Sequence, residues 1–417
     1  MPSVTPEYLR FLSRWDRDAD ALRAAFSERA GVPVRFTDRP PPSDPSALFR
    51  LFERDPLDAV TELPDGSRQL SYNPFRSWRA IVEEQYLGEP KPPLHARLPI
   101  PVHKVPGALR LKLYPFVAGR PEAGPEDCPP DPAWPIEPRL DRFRADLFSG
   151  LPHDPPAPGA GAWPGGARFP LLVTHDVDTK AGMARAGVVL DEMVRLGLRP
   201  CFFLVGHGYT WDKGFIEAVR QAGGEIGLHG DLHDNRIAFL PAAKAAERLD
   251  TCRELIEEHG IRGFRSPSLL VSPALYEAVQ PRFAWDSSVP DTDTHTLLGV
   301  RRGCGTVFPF RRNGCLVLPT TMPADDRLLL LGYRGLELTD VLRRKFAHVR
   351  ALGGLCHFLT HPEPHLFGKR MLRDLFRAVF TEILDTDEAW VATPSMVAEY
   401  WESLTASGAG NGTQDAP

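Results

Sequence analysis

The sequence lacks the features that mark membrane-spanning, disulfide-rich and nucleic-acid-binding proteins. No apolar run approaches the roughly 18 residues that a spanning helix needs, so we expect no membrane span. The six cysteines are scattered without a Cys-x-x-Cys pair, which disfavours a zinc knuckle or a disulfide framework. The formal net charge of -5 disfavours a nucleic-acid partner. The N-terminus shows no basic segment followed by an apolar one, so we expect no secretory signal and a cytoplasmic location.

What the sequence has in excess is proline. It carries 43 prolines in 417 residues, about twice the usual ~5% frequency, and they are concentrated between residues 121 and 170. This predicts a proline-rich linker over 121–167, with one short helix near Leu140–Phe148. The linker divides the chain into an N-terminal domain over 1–120 and a larger domain over 168–404. The small polar residues 405–417 are typical of a disordered tail.

The N-terminal domain reads as a small mixed α/β unit. Apolar residues recur at helical spacing from Tyr8 to Phe26, and the helix is expected to end near Gly31. Residues 60–73 (VTELPDGSRQLSYN) predict two strands around a Pro-Asp-Gly-Ser turn, and residues 108–116 (ALRLKLYPF) predict another strand. We find no catalytic motif in this unit, and a lid or an assembly role is a bare hypothesis.

After the linker, apolar strand-like runs alternate with helical stretches. The runs are FPLLVTHD, RPCFFLVG, EIGLHG, RGFRSPS, FAWDSSV, CLVLPTT and LCHFLTHP. This alternation predicts parallel strands joined by helices. Polar residues stand at the C-terminal end of one strand after another, which favours a barrel over an open sheet.

Two of these strand ends carry residues that suit a metal ion. His229 and His233 lie four residues apart, so both imidazoles can reach one ion, and a carboxylate from another strand can complete the set. Each group is a weak signal by itself. Asp176 and Asp178 could equally be capping carboxylates at a strand-to-helix turn.

The segments THDVD, HGDLH, RSPS, WDSS and LTH occur in an order that resembles the five motifs of polysaccharide deacetylases, the NodB-homology or carbohydrate esterase family 4 domain. The resemblance covers roughly residues 168–404. It implies an α/β fold, a distorted (β/α)7 barrel preceded by the small mixed α/β domain. It also implies metal-dependent removal of the acetyl group from an N-acetylated amino sugar.

The resemblance implies a role for each motif residue. Asp178, His229 and His233 resemble a triad that binds one divalent ion, with zinc the first expectation and cobalt, nickel or iron as alternatives. Asp176 resembles the general base, and Arg265 the residue that orients it. His361 resembles the general acid, and Asp286 the partner of that acid.

Two further residues are expected to meet the substrate. A backbone N–H near Ser268 could bind the oxyanion. Trp285 could form either barrel core or a sugar-stacking surface. Residues 317–326 (VLPTTMPADD) close a strand near the same rim. Asp291 and Asp293, together with His295, are read as solvated loop residues.

The motifs also depart from the common pattern. Val177 separates two aspartates that are usually adjacent, Gly230 stands where Ser or Thr is usual, and Ser268 replaces a common aromatic residue. These changes bear on the substrate more than on the chemistry. The expected partner is an N-acetylated saccharide, and no oligomeric state is predicted.

Two alternative functions stay open. One is a hydrolase of another small amide or imide, as in the allantoinase-type relatives, which typically lack the full metal triad. The other is a catalytically inactive carbohydrate-binding homologue, which intact acid, base and metal positions disfavour.

Overall fold

The structure, a computed structural model, describes residues 4–15, 17, 19–38, 48, 60–88, 132–149, 161–295 and 300–406. The N-terminal region contains helices α1 (Pro6–Trp15), α2 (Ala19–Ala30) and α3 (Pro74–Val82) and strands β1 (Val34–Phe36), β2 (Val60–Glu62) and β3 (Arg68–Leu70). Strands β2 and β3 pair antiparallel around the expected turn. The single helix expected up to Gly31 is instead two helices. The strand expected at 108–116 lies outside the described residues.

Part of the proline-rich segment is packed against the barrel. Helix α4 (Arg139–Ser149) matches the short helix expected there, and its Asp141 is fully buried. The Asp141 carboxylate accepts hydrogen bonds from the Thr306 hydroxyl at 2.7 Å and from the Val307 amide at 3.1 Å. The described part of the segment therefore contributes to the folded core. The division of the chain into domains stays a prediction, and residues 407–417 lie outside the described part.

The larger region is built on a curled sheet. Its strands are β4 (Phe169–Val177), β5 (Cys201–Leu204), β6 (Glu225–Leu228), β7 (Gly263–Phe264), β8 (Trp285–Asp286), β9 (Asp293–His295), β10 (Val300–Arg302), β11 (Phe310–Arg312), β12 (Cys315–Val317), β13 (Cys356–Thr360) and β14 (Ala389–Val391). Within the described residues, seven strands run parallel in the order β12-β8-β7-β6-β5-β4-β13, and β14 also pairs in parallel with the start of β4. These are the seven predicted runs, and the distorted (β/α)7 barrel is confirmed.

Helices follow the strands and cover the outside of the sheet. They are α5 (Lys180–Arg195), α6 (Lys213–Gln221), α7 (Ala242–Asp250), α8 (Arg253–His259), α9 (Pro273–Val279), α10 (Asp325–Leu330), α11 (Gly335–Leu352), α12 (Arg370–Leu384) and α13 (Pro394–Ala406). After β8 the regular pattern breaks, because the antiparallel hairpin β9–β10 and the antiparallel strand β11 follow in place of a helix. None of the described helices combines the length and hydropathy needed to cross a bilayer.

The barrel closes between β12 and β13 through a short seam. Beyond the end of β12, the amides of Thr321 and Met322 both donate to the carbonyl of His357, at 3.2 Å and 3.0 Å. The Thr321 hydroxyl in turn accepts from the His357 amide at 3.0 Å. These few bonds join the two edges of the parallel sheet.

Strand alternation decides which side chains of β4 face the barrel interior. Successive side chains of a strand point to opposite faces, so Thr174 and Asp176 share one face. Both contact Arg265 inside the barrel. His175 points the other way and packs between the rings of Phe202 and Phe367. The Asp-Val-Asp spacing therefore directs Asp176 and Asp178 to the same side.

Candidate metal and catalytic site

Three predicted ligands meet where β4 and β6 end. The Oδ1 atom of Asp178 lies 3.3 Å from Nε2 of His229 and 3.4 Å from Nε2 of His233. The Nδ1 atom of His229 lies 3.0 Å from the carbonyl oxygen of Arg265, so Nδ1 is the donor and Nε2 is left for an ion. Asp178, His229 and His233 thus present their ligand atoms to one point.

The geometry of this group fits a divalent ion. Ligand atoms about 2.0–2.2 Å from one tetrahedral ion lie roughly 3.3–3.5 Å apart, which matches the observed separations. Oδ1 of Asp178 is buried and accepts no hydrogen bond within the described residues. Burial opposes the carboxylate, but His233 and His229 outweigh it and hold the pKa of Asp178 below its ordinary value. An anionic oxygen facing two imidazoles is a suitable donor set for a divalent cation.

Asp176 is held beside the ion-binding group by Arg265. The Arg265 guanidinium is fully buried and donates to Oδ1 of Asp176 at 2.8 Å. It also donates to Ser287 and lies over the Phe203 ring, 4.1 Å from the centroid. The second oxygen of Asp176 lies 3.6 Å from Nε2 of His229. Arg265 therefore orients Asp176, as the resemblance implies, and leaves one carboxylate oxygen facing the ion-binding group.

His361 lies at the end of β13, but its partner is not the predicted one. Its Nδ1 lies 2.7 Å from Oδ1 of Asp325, and its amide donates to Oδ2 at 3.1 Å. Burial lowers the pKa of the His361 imidazole, but the Asp325 carboxylate raises it by more, and Asp178 raises it further. Together they raise the pKa of His361 well above its ordinary value. The geometry and charge suit a proton donor.

The pairing of His361 with Asp286 is therefore wrong. Asp286 is buried beneath the rim, where it accepts from the Tyr276 hydroxyl at 2.7 Å and from the Ser288 amide at 2.9 Å. Asp286 is the last residue of the two-residue strand β8, and its carboxylate binds the loop that follows this strand. Asp325 was missed because its motif carries no histidine. The available signal was the pair of aspartates in residues 317–326.

Trp285 lies in the barrel core. Only 1% of its surface is exposed, and its Nε1 donates to the Ser395 hydroxyl at 3.0 Å. Its ring packs edge-on against Phe203. A Cβ atom at Gly263 would lie 2.0 Å from the same ring, so a larger residue there would collide with it. The sugar-stacking alternative for Trp285 is wrong because the ring is enclosed.

Ser268 lies in a turn beside residues 229–233, which carry the candidate ligands His229 and His233 and are here called the metal-ligand loop. Ser268 and Leu269 both adopt positive φ, at 53° and 56°, which is uncommon for residues with a side chain. The Ser268 hydroxyl donates to the side chain of Asn235 at 3.1 Å. A Cβ at Gly230 would lie 3.0 Å from Pro267, so the two loops are in close contact. Ser268 is thus placed at the site, and its role in binding the oxyanion stays a prediction.

Glu363 is a site residue that the sequence analysis missed. One carboxylate oxygen accepts from the amides of Asp178 and Thr179 at 3.1 Å and 3.2 Å, at the start of α5. Burial and the neighbouring Asp178 carboxylate raise the pKa of Glu363 to about 8. A Cβ at Gly182 would lie 2.3 Å from Glu363. Glu363 therefore holds the backbone of Asp178, a candidate metal ligand, and at position 182 only glycine leaves room for the Glu363 carboxylate.

The loop after β8 is packed rather than solvated, which corrects the expectation for Asp291 and Asp293. Asp291 is ion-paired with Lys345 of α11, and both side chains are buried. Asp293 pairs with Arg327 of α10 at 2.8 Å. The cationic partners of both carboxylates, Lys345 and Arg327, are distant in the sequence. No local sequence pattern reveals such partners.

Comparisons with known proteins return solved structures only. No protein-family model matches the chain, and no curated protein matches it. A structure assigned as a polysaccharide deacetylase from Mycobacterium smegmatis is 21% identical, covers 63% of this chain and 99% of its own, and has a TM-score of 0.46. A second structure so assigned, from Pseudomonas aeruginosa PAO1, is 18% identical, covers 63% and 100%, and has a TM-score of 0.47.

A structure named as an allantoinase is also 18% identical, covers 61% of this chain and 98% of its own, and has a TM-score of 0.47. At these similarities the likeness concerns the fold and not the activity. The chain is thus similar to solved structures of which two are named as polysaccharide deacetylases and one as an allantoinase. The resemblance to the NodB-homology type rests on the five sequence motifs.

Proposed function

We propose that this protein is a metal-dependent N-deacetylase that hydrolyses the acetamide of an N-acetylated amino sugar. One arrangement carries the proposal. A three-ligand group, Asp178 with His229 and His233, has the oriented carboxylate Asp176 on one side. The hydrogen-bonded pair His361–Asp325 lies at the end of β13, which pairs in parallel with β4, the strand that leads to Asp176 and Asp178. Amide hydrolysis needs these parts together: an ion site, a base and an acid.

Each group has a distinct task in this proposal. Asp178, His229 and His233 would hold a divalent ion, with zinc the first choice, which would supply polarisation of the amide carbonyl and a more acidic water molecule. Asp176 accepts the proton of the attacking water, and the hydrogen bond from Arg265 keeps its carboxylate in place. Protonated His361 donates to the departing amine. Asp325 keeps His361 charged until that transfer.

We further propose that the substrate is a small or carrier-linked glycan and not an insoluble polymer. The hydroxyl of Tyr86 donates to the carbonyl of Gly303 at 2.7 Å, and Thr292 donates to the carbonyl of Pro135 at 3.1 Å. Segments outside the barrel thus pack on the loop after β8. On this basis we propose that the part of the chain before the barrel narrows the cleft, which would favour a short substrate over a long polymer chain.

A cytoplasmic location belongs to the same proposal. All five cysteines in the described residues are free and buried. Unpaired thiols are typical of a reducing compartment. Cell fractionation that places the native protein outside the cytoplasm would contradict this part.

The test is release of acetate by purified protein whose metal content has been measured. The substrates are short N-acetylglucosamine oligomers, a nucleotide-linked N-acetylated amino sugar, insoluble chitin and allantoin. We expect about one divalent ion per chain and acetate release from a soluble saccharide, faster than from chitin. Turnover of allantoin alone would establish the amide or imide alternative. Saccharide binding without any turnover would establish the inactive homologue.

A further inference from the structure

Glu84 is a buried carboxylate that reaches the barrel from the N-terminal region. It follows α3 and has only 5% of its surface exposed. Its two oxygens accept from Arg302 at 2.9 Å and 3.1 Å and from Arg312 at 3.1 Å. Burial of an acidic group is costly unless cations and hydrogen bonds compensate it, and here two arginines do so. This carboxylate is thus fixed on the side of the barrel where β10 and β11 lie.

Arg302 carries this contact to the candidate site. While Nε and one terminal nitrogen hold Glu84, the other terminal nitrogen donates to the carbonyl oxygen of Leu269 at 2.9 Å. Leu269 and the preceding Ser268 both have positive φ, at 56° and 53°. A backbone in that region persists only where its surroundings impose it, and the bond from Arg302 is one such constraint.

The turn at Ser268 and Leu269 is in contact with the metal-ligand loop. Ser268 donates to Asn235, and Pro267 packs on Gly230, next to His229. A continuous set of contacts therefore leads from Glu84 through Arg302 to the wall of the site. The guanidinium of Arg302 is planar and carries several N–H donors. It can therefore bind the Glu84 carboxylate and the Leu269 carbonyl at the same time.

We propose that Glu84 is a positioning residue for the substrate wall of this site, acting through Arg302 on the Ser268–Leu269 turn. The N-terminal region is then part of the deacetylase and not an independent appendage. This inference rests on the proposed function. Neither Glu84 nor Arg302 touches the ion-binding group, so the expected effect is on substrate affinity and not on metal content.

The experiment measures kcat, KM, metal content and Tm with the soluble saccharide that the acetate-release panel shows to turn over fastest. The variants are Glu84→Gln, which keeps the shape of the side chain but removes its charge, and Arg302→Lys. Arg302→Lys keeps a cation for Glu84 but loses the planar fork, so it is the gentler change. We expect KM to rise about tenfold in both variants, with kcat within about threefold and the metal retained.

Tyr86→Phe is the matched control. It removes the buried hydrogen bond to Gly303, at the same contact between the N-terminal region and the barrel, and leaves the groups of the Arg302–Leu269 hydrogen bond unchanged. We expect Tyr86→Phe to lower Tm and leave KM unchanged. An unchanged KM in Arg302→Lys, or an equal rise of KM in Tyr86→Phe, would overturn the inference while leaving the deacetylase intact. Absence of acetate release by the wild-type protein would overturn both.

Discussion

The imidazole of His361 is hydrogen-bonded to Asp325, a carboxylate that comes from the start of α10 and not from the strand-end motif at Asp286. The bond is 2.7 Å long, and the main-chain amide of His361 contacts the same carboxylate. This arrangement fixes the ring and favours its charged form. The proton donor of the proposed reaction therefore depends on Asp325.

Asp325→Asn is expected to move the alkaline limb of the pH–rate profile to lower pH. The raised pKa of His361 keeps the acid protonated above the ordinary histidine range, and activity falls as pH rises through that pKa. Removing the Asp325 charge removes the largest influence that raises it. Asp286→Asn is the control, because Asp286 does not contact His361. Equal shifts in both variants, or none in Asp325→Asn, would contradict this assignment.

Asp176→Asn is expected to retain the ion and lose activity. Asp176 lies beside the ligand group, but its main contact is with Arg265. A missing general base typically costs ~10²–10⁴-fold in rate. Metal analysis and kcat are measured on the same preparation. Near-full activity in this variant would show that the base lies elsewhere.

His229→Ala is expected to lose the bound ion and the stability that the ion confers. A ligand at 100 times its Kd stabilises the folded state by roughly 2.7 kcal/mol. Adding a divalent ion should therefore raise the Tm of the metal-stripped wild-type protein but not that of His229→Ala. His207→Ala is the control, because His207 bonds Thr251 outside the ligand group. An active, metal-free wild-type protein would contradict the site.

Gly182→Ala is expected to reduce activity by displacing Glu363. The new Cβ would lie 2.3 Å from a Glu363 oxygen, and that oxygen holds the amide of Asp178. Gly187→Ala lies on the same helix with nothing within 4 Å of the new Cβ. It should keep full activity and gain up to about 1 kcal/mol from helix propensity. Steady-state kinetics and thermal unfolding of the two variants make the comparison, and equal activities would exclude the proposed clash.

Lys345→Met is expected to destabilise the fold by roughly 3–5 kcal/mol, because it leaves the buried Asp291 without its cation. Urea unfolding measures the loss. Lys213→Met is the control. Lys213 and Glu258 are both largely exposed, so the loss of their ion pair should be much smaller than that for Lys345→Met. A small loss for Lys345→Met would mean that the pair contributes little.

The deficit in Lys345→Met should also depend on pH. Burial raises the pKa of Asp291 to about 7, although Lys345 opposes the shift. A carboxyl whose folded pKa lies above its unfolded value of roughly 3.9 contributes stability below that value. The contribution is lost as pH rises through the folded pKa. Removing Lys345 raises that pKa further, so the deficit should be larger at pH 8 than at pH 5.

The sequence predicts the barrel and the strand-end residues well because both are local signals. An apolar run of four or five residues followed by a polar group marks a strand and its functional end, as at Thr174–Asp178 and His229–His233. Which strand ends face one another is also predictable once the strands are parallel. A group of His229, His233 and a carboxylate from the end of β4 follows from these two rules, and the family resemblance selects Asp178 over Asp176.

Partners supplied by distant segments were not predictable in this way. Asp325 and His361 are 36 residues apart, and Asp291 and Lys345 are 54 residues apart. Asp286 ends a strand and Asp178 directly follows one, yet Asp286 binds the loop that follows it. From the sequence, Trp285 fits a residue of the barrel core and a residue that stacks on a sugar equally well. Only its enclosure by Phe203 and Ser395 decides between them.

The His361–Asp325 hydrogen bond also joins the two chain segments that meet at the seam between β12 and β13. Asp325 follows the chain that continues β12, and His361 follows β13, so this bond fastens the two edges of the sheet at the point where the barrel shuts. Opening the seam would release the Thr321 and Met322 amides to solvent exchange and would separate the acid from its carboxylate in the same movement. Amide hydrogen exchange at Thr321 and Met322 would thus report how often the hydrogen bond between His361 and Asp325 breaks.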